Sequence, residues 1–240
     1  MASRNSFPRH SPRPTAIAGL QVVDTCADRE CLEDLQVFFS PSDQNIINRC
    51  VQVRCPAATV ENVAFGLEPT PWRRGCFTVE TLFMFRVRLE AVLPGQEPPV
   101  CVEGSCFFER RSTLFGGENC VRTFRSNGAG CGGVPEASIQ CAQPVVLNVH
   151  LTDGPVAFGA PPQAVIDRLG GRLSPEPHRA VLISLGLFSV LSLERPTQLA
   201  VSSFGPALPT RECRGELCGK EVCDLFNAMP FPIEQFNPCR

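Results

Sequence analysis

The chain contains no tyrosine and a single lysine, Lys220, against 21 arginines. Dityrosine cross-linking is therefore excluded and lysine-based cross-linking is confined to one residue. None of its 14 cysteines forms a Cys-x2-Cys pair, and His10, His150 and His178 stand apart from them. Zinc knuckles and dithiol redox centres both favour that missing spacing. Gly-x-Ser-x-Gly, His-Glu-x-x-His and phosphate-binding glycine motifs are also missing, so no catalytic residue is assigned. No long run of one charge sign occurs and the net charge is −2, which argues against nucleic-acid and membrane-surface partners. The longest apolar stretch, Ala180 to Leu193, is broken by Ser184, Gly186, Ser189 and Ser192. It falls short of the ~20 residues a spanning helix needs.

What remains is sulfur. Fourteen cysteines in 240 residues is the density of a disulfide scaffold. The N-terminus, Met1 to Pro14, is basic but has no apolar stretch of the kind that directs export. The expectation is a chain made in a reducing cytosol that meets an oxidant later, as happens when an assembly is sealed after its cell breaks open. An apolar fraction of 43% with 17 Phe suffices for a real core, so the cysteines are not replacing one.

Residues 1–15 carry three Pro, three Arg and three Ser and are read as a flexible arm. A β core is expected over 16–125, a Gly/Pro-rich loop or insert over 126–178, and C-terminal strands with a cysteine-rich tail over 179–240. From Cys76 to Leu93, Phe77, Val79, Thr81, Phe83, Phe85, Val87, Leu89, Ala91 and Leu93 share one parity. Thr78, Glu80, Arg86, Arg88 and Glu90 share the other, a period of two that predicts a strand with one buried face. Pro94 to Pro99 supplies a turn, and Cys101 to Phe115 the return strand, giving a long hairpin over 76–93 and 100–115. Shorter strands are expected over Leu35–Phe39 and Val145–Leu151, and a helical patch near Ala164–Leu169. Val181–Leu193 reads as a strand ended by Pro196, with Gln198–Ser203 as its partner. Val222–Met229 predicts a short C-terminal helix stopped by Pro230. The fold class is mainly β, an antiparallel β-sandwich or a barrel-like sheet.

The spacing Cys-x4-Cys occurs five times: Cys26/Cys31, Cys50/Cys55, Cys101/Cys106, Cys213/Cys218 and Cys218/Cys223. In a strand this separation puts two side chains on opposite faces about 16 Å apart, too far for a disulfide. Cys101 and Cys106 are thus not expected to bond each other, and Cys106 reads as a buried hydrophobe. Cys26 and Cys31 lie in sequence read as loop-like, where a local bridge is geometrically open. The cross-link candidates are Cys26, Cys31, Cys131, Cys213, Cys218, Cys223 and Cys239, all in polar, loop-like or terminal context. No metal site is assigned, although Cys213, Cys218, Cys223 and Cys239 could together make a four-sulfur zinc site. Asp24, Asp28, Glu30, Glu33 and Asp34 read as a solvated acidic face. Trp72, beside Arg73 and Arg74, reads as part of a rigid turn or as an aromatic anchor for a partner.

Several stretches carry a family resemblance. Val23–Leu35, Leu67–Val79, Leu114–Glu118, Ser184–Pro196 and Cys223–Phe236 resemble segments of cysteine-rich structural proteins of the outer layers of clostridial spores. The resemblance covers residues 20–126 and 178–238. It implies a coat or exosporium protein that self-assembles into an ordered, disulfide-stabilised layer, without enzyme activity or cofactor. Its partners would be copies of itself and other spore-layer proteins, and its place the spore surface after synthesis in the mother-cell cytosol. The chain departs from the pattern in being Arg-rich and in carrying Cys76 within Arg-Gly-Cys-Phe. Its middle segment also has no dense cysteine run, only Cys120, Cys131 and Cys141. The alternative function is a zinc-stabilised or ligand-binding β module that never cross-links.

Overall fold

A computed structural model describes residues 16–117, 134–154, 160–173 and 177–200, together with 223, 226, 227, 229–232 and 235. In chain order the elements are β1 (Ala16–Phe39), α1 (Pro41–Ile47), β2 (Gln52–Pro69), β3 (Cys76–Val92), β4 (Val100–Phe115), β5 (Glu136–Cys141), β6 (Val145–Asp153), α2 (Gln163–Arg168) and β7 (Arg179–Ala200). The strands form a seven-stranded, nearly closed antiparallel barrel-like sheet in the order β2-β3-β4-β1-β7-β5, with β6 also pairing β7.

The alternation in β3 behaves as its sequence dictates. Every second residue from Phe77 to Ala91 is buried, and β4 pairs with β3 from Cys76↔Phe115 to Ala91↔Val100. Phe83, Phe85, Val87 and Leu89 are fully buried and meet Ile183, Leu185 and Leu187 of β7 in one core. Side chains of this size each contribute about 1.5–3 kcal/mol when removed from water.

β1 is much longer than the sequence suggests. It is a single 24-residue strand that absorbs Leu35–Phe39 and the segment read as a loop around Cys26 and Cys31. It pairs with β7 from Ala16 to Val37 and then, at Phe38 and Phe39, with Ser105 and Gly104 of β4. The handover follows a bulge between Leu32 and Leu35, where Asp34 takes φ +50 and its N–H donates to Ser184 Oγ at 3.2 Å. Asp is among the few residues that tolerate this conformation, and a bulge bends and twists a strand enough to leave one neighbour for another. Gly104 sits where a Cβ would lie 2.4 Å from Val37, so the close approach of β1 to β4 depends on its missing side chain.

Pro196 does not end the last strand. β7 continues to Ala200, with Pro196 opposite Leu20, so residues 198–200 extend β7 and are not a partner strand. Positions 201–203 lie outside the described residues. β5 pairs β7 only as far as Glu194, so Pro196 occupies an edge position of the kind proline tolerates. Upstream, β7 is buried on both faces from Ala180 to Leu191. The odd positions face the barrel interior. On the other face Phe188 and Val190 pack with Ala27, Ala142 and the C-terminal Phe226. Cys223, Phe226 and Asn227 are helical, Met229 is a bend and so falls outside the expected helix, and positions 222, 224, 225 and 228 lie outside the described residues.

The acidic residues of β1 are not a uniformly solvated face. Asp28 is buried and Glu30 nearly so, and both pair with the buried Arg110 of β4. The opening of β1 away from β4 makes room for these side chains inside the structure.

The C-terminal segment depends on one glycine. A Cβ on Gly186 would lie 2.4 Å from the Phe226 ring. Gly186→Ala is expected to destabilise the fold by ~1–3 kcal/mol through overpacking and to speed proteolysis of the C-terminal segment. Urea unfolding and limited proteolysis check this. Unchanged values would mean that Phe226 does not seat on β7.

Candidate functional site

Of the seven expected cross-link cysteines, Cys26, Cys31 and Cys223 are among the described residues, while Cys131, Cys213, Cys218 and Cys239 lie outside them. Cys26 and Cys31 are not joined locally. Both lie within β1, opposite Leu191 and Gly186, and a separation of five in a strand turns them to opposite faces. Cys26 points inward against Phe77, Val79 and Leu193, and Cys31 outward against the Phe188 cluster. Cys31 instead forms a disulfide with Cys223, 192 residues away, with Cα atoms 5.6 Å apart. Cys26 is disulfide-bonded as well.

The Cys31–Cys223 bridge pins the C-terminal segment to the outer face of β1 and β7. The Phe188 ring stacks at an angle on Phe226 at 4.5 Å and meets the edge of Phe231 at 5.4 Å. Arg29 lies over Phe188 at 5.7 Å, and its Nη1 donates to the Asn227 carbonyl. The guanidinium thereby covers an apolar ring while holding backbone of the segment it faces.

Six described cysteines are free: Cys50, Cys55, Cys76, Cys101, Cys106 and Cys141. They divide by burial. Cys106 is fully enclosed, as its parity requires, and burial, with a smaller contribution from Cys55, drives its thiol pKa far up. Burial pushes Cys141 up to about 11. It also raises Cys50, against the Arg179 charge, and Cys55, against a hydrogen bond to the Ala57 carbonyl. Such thiols are poor nucleophiles because the thiolate is the reactive form.

Cys76 and Cys101 differ. Both occupy the outward parity of the long hairpin, Cys101 exposed and Cys76 half-exposed. Cys76 opens β3 opposite Phe115, while Cys101 stands opposite Glu90 near the far end. About 45 Å of strand separates these positions at ~3.3 Å per residue. Neither was among the cross-link candidates, although the period of two that placed Phe77 inward places Cys76 outward, and that which buries Cys106 exposes Cys101.

The end of the sheet that carries Cys76 is also apolar. Trp72 is fully exposed in the turn between β2 and β3, and Leu20, Val22, Phe115 and Val134 are each about half exposed. They share one pole because Phe115 pairs with Cys76, Val22 lies opposite Glu194, and the Phe115 N–H donates to Asp24 Oδ2 at 2.8 Å. Trp72 adopts φ +64, stabilised by the turn bonds Thr70 N–H to Cys76 O (2.9 Å) and Cys76 N–H to Arg73 O (3.1 Å). A bulky residue in this region costs roughly 1–3 kcal/mol, and such strain concentrates where a side chain must be presented. Arg73 and Arg74 follow it and are exposed as well.

Where β1 and β4 diverge, Arg110 Nη1 contacts Asp28 Oδ2, and its Nε lies 3.3 Å from Glu30 Oε1. One guanidinium faces two carboxylates, and Glu30 Oε2 and Arg110 Nη2 have no hydrogen-bond partner among the described residues. Burial pushes Glu30 up to about 7 and Arg110 down to about 10. Asp28 holds the closer ion pair, which leaves Glu30 as the surplus charge.

A carboxylate whose folded pKa is raised contributes most favourably below its unfolded pKa, and that contribution is lost as pH rises to the folded value. Stability attributable to Glu30 should therefore fall between about pH 4.5 and about pH 7. Glu30→Gln, which resembles the protonated form, is expected to gain on the order of 2 kcal/mol near pH 8 and nothing near pH 4. Urea unfolding at both values tests it, and destabilisation near pH 8 would show instead that Arg110 requires the Glu30 charge. Comparison of the chain with protein-family models, with curated proteins and with solved structures finds no match.

Proposed function

We propose that the chain is a structural protein that assembles with its own copies into an ordered layer locked by disulfides, of the kind found at a bacterial spore surface in coat or exosporium. The observation that carries this reading is the placement of unbonded, partly or fully exposed thiols at opposite ends of one continuous hairpin, one of them beside an apolar pole. A thiol at one end only would support at most a dimer. Thiols at both ends allow each copy to be joined to a neighbour on either side.

Other features support the same reading. The buried cysteines serve packing, and Cys31–Cys223 ties the C-terminal segment to the barrel within one chain. Roles inside the protomer and roles between protomers thus fall to different sulfurs. Leu20, Val22, Trp72 and Phe115 supply apolar surface for non-covalent contact, with the aromatic anchor and adjacent arginines common in such contacts. Disulfides formed after contact make disassembly depend on reduction, not dilution. The spore assignment itself rests on the resemblance of the five sequence stretches.

The test is electron microscopy of the recombinant protein, with non-reducing electrophoresis in denaturant. Oxidised protein is expected to form regular sheets or tubes and to stay in high-mass species until reductant is added. Cys76→Ser with Cys101→Ser should sharply reduce that cross-linked mass while leaving thermal unfolding of the protomer within about 0.5 kcal/mol of wild type, as for surface substitutions. A monodisperse monomer indifferent to reductant would sink the proposal.

A further inference from the structure

The sulfurs of Cys31 and Cys223 have a third companion. Cys31 Sγ, Cys223 Sγ and a carboxylate oxygen of Glu33 lie within 4.8 Å of one another. Glu33 Oε1 is 3.3 Å from Cys223 Sγ. Cys31 and Glu33 are two residues apart on β1 and so turn to one face, and the bridge brings Cys223 in from the C-terminal segment. Glu33 makes no other hydrogen bond or ion pair among the described residues.

That contact is unfavourable in the disulfide. A disulfide sulfur has no proton to donate, so the Glu33 carboxylate faces a group that offers it nothing. Once the bridge is reduced the situation reverses. Cleavage of the S–S bond by a thiol or phosphine adds two electrons and two protons and leaves two thiols beside the carboxylate. A divalent cation can displace both protons and take two thiolates and one carboxylate oxygen. Zinc–sulfur and zinc–oxygen bonds of about 2.3 and 2.1 Å in a tetrahedron place sulfur and oxygen about 3.5 Å apart, close to the spacing between Glu33 and Cys223. Cys223 is buried while Cys31 and Glu33 are half-buried, and a water molecule would complete the tetrahedron.

We propose that in the reduced chain Cys31, Glu33 and Cys223 form a binding site for a divalent cation of the zinc class, in competition with their disulfide. Two thiolates select a borderline-soft metal over magnesium or calcium. The site goes beyond the structural function proposed above, because it describes the chain before oxidation and stands whether or not copies assemble. Its consequence is mechanical. The cation would hold the C-terminal segment on the β1/β7 face while the protein is reduced, and would keep these two sulfurs from pairing with others until a disulfide oxidant takes their two electrons, the S–S bond forms and the cation leaves.

Cobalt(II) alone serves as the probe, titrated anaerobically into the full-length reduced protein. Wild type is expected to show sulfur-to-cobalt charge-transfer and intense tetrahedral d–d absorption. The double variant Cys31→Ser/Cys223→Ser should bind one equivalent less. Glu33→Gln, which keeps every thiol and can be checked for folding by its circular dichroism, should weaken that equivalent at least about tenfold, the smallest loss usual even for groups that only support a ligand. Protein with the Cys31–Cys223 bridge intact should lack that equivalent altogether. Equal stoichiometry in the double variant, or equal affinity in Glu33→Gln, would place the cobalt on other cysteines and overturn the proposal.

Discussion

The architecture rests on β1 belonging to two halves of the sheet. Along most of its length its hydrogen bonds go to β7, and only at Phe38 and Phe39 does it reach β4. Without that handover, β2-β3-β4 and β5-β6-β7 would be separate antiparallel sheets with two long unpaired edges. The bulge at Asp34 and the bare backbone of Gly104 are what allow it. The same divergence has a cost, because a stretch of β1 faces a stretch of β4 without backbone bonds. Side chains span the gap: Arg110 reaches Asp28 and Glu30, and Asp24 accepts the N–H of Phe115. A buried group of this kind is weak evidence for net stability, since desolvation offsets much of the attraction. Its value here is in register, because a one-residue slip of β1 would turn Asp28 away from Arg110.

β7 is the second pivot. Buried on both faces, it reads as a nearly continuous apolar run, as expected of a strand covered on both sides. A strand of this kind in an antiparallel sheet needs an outer cover, and here the C-terminal segment provides one through Phe226 and Phe231. That explains why the segment is anchored by a covalent bond between distant residues. A few aromatic contacts hold a short segment only marginally, and a bridge closing a loop of nearly two hundred residues removes much unfolded-state entropy.

The sequence disclosed the strand-rich class, the hairpin from Cys76 to Phe115 and the burial of Cys106, because a strict period of two needs no tertiary information. It misjudged what depends on partners. Asp28 and Glu30 read as solvated because polar residues usually are, and nothing local signals that Arg110, eighty residues away, will meet them. Cys26 and Cys31 looked loop-like because their flanks are charged, yet those flanks line an irregular strand. Pro196 looked like a terminator because its tolerance depends on where β5 stops. Cys76 and Cys101 were legible too, since the parity that separates Cys101 from Cys106 and Cys76 from Phe77 turns both outward, whereas polar, loop-like context points to other cysteines.

The positions of Cys76 and Cys101 also constrain what kind of assembly the proposed cross-links could build. A disulfide between equivalent cysteines, Cys76 to Cys76 or Cys101 to Cys101, is compatible with a two-fold contact and alternates the direction of successive copies. A disulfide from Cys76 of one copy to Cys101 of the next is head-to-tail, and such contacts continue without closing unless their rotation closes a ring. The two ends are chemically unlike. The Cys76 pole presents Trp72 and Phe115, while Cys101 stands opposite Glu90 in a polar patch where Arg88 pairs with Glu103 at 3.7 Å. Under the assembly proposed above, head-to-tail rows would set these unlike ends against each other, the apolar pole of one copy meeting the polar end of the next. Lateral joining of such rows would fall to surfaces other than these two ends, so a sheet needs at least one further contact along the barrel wall.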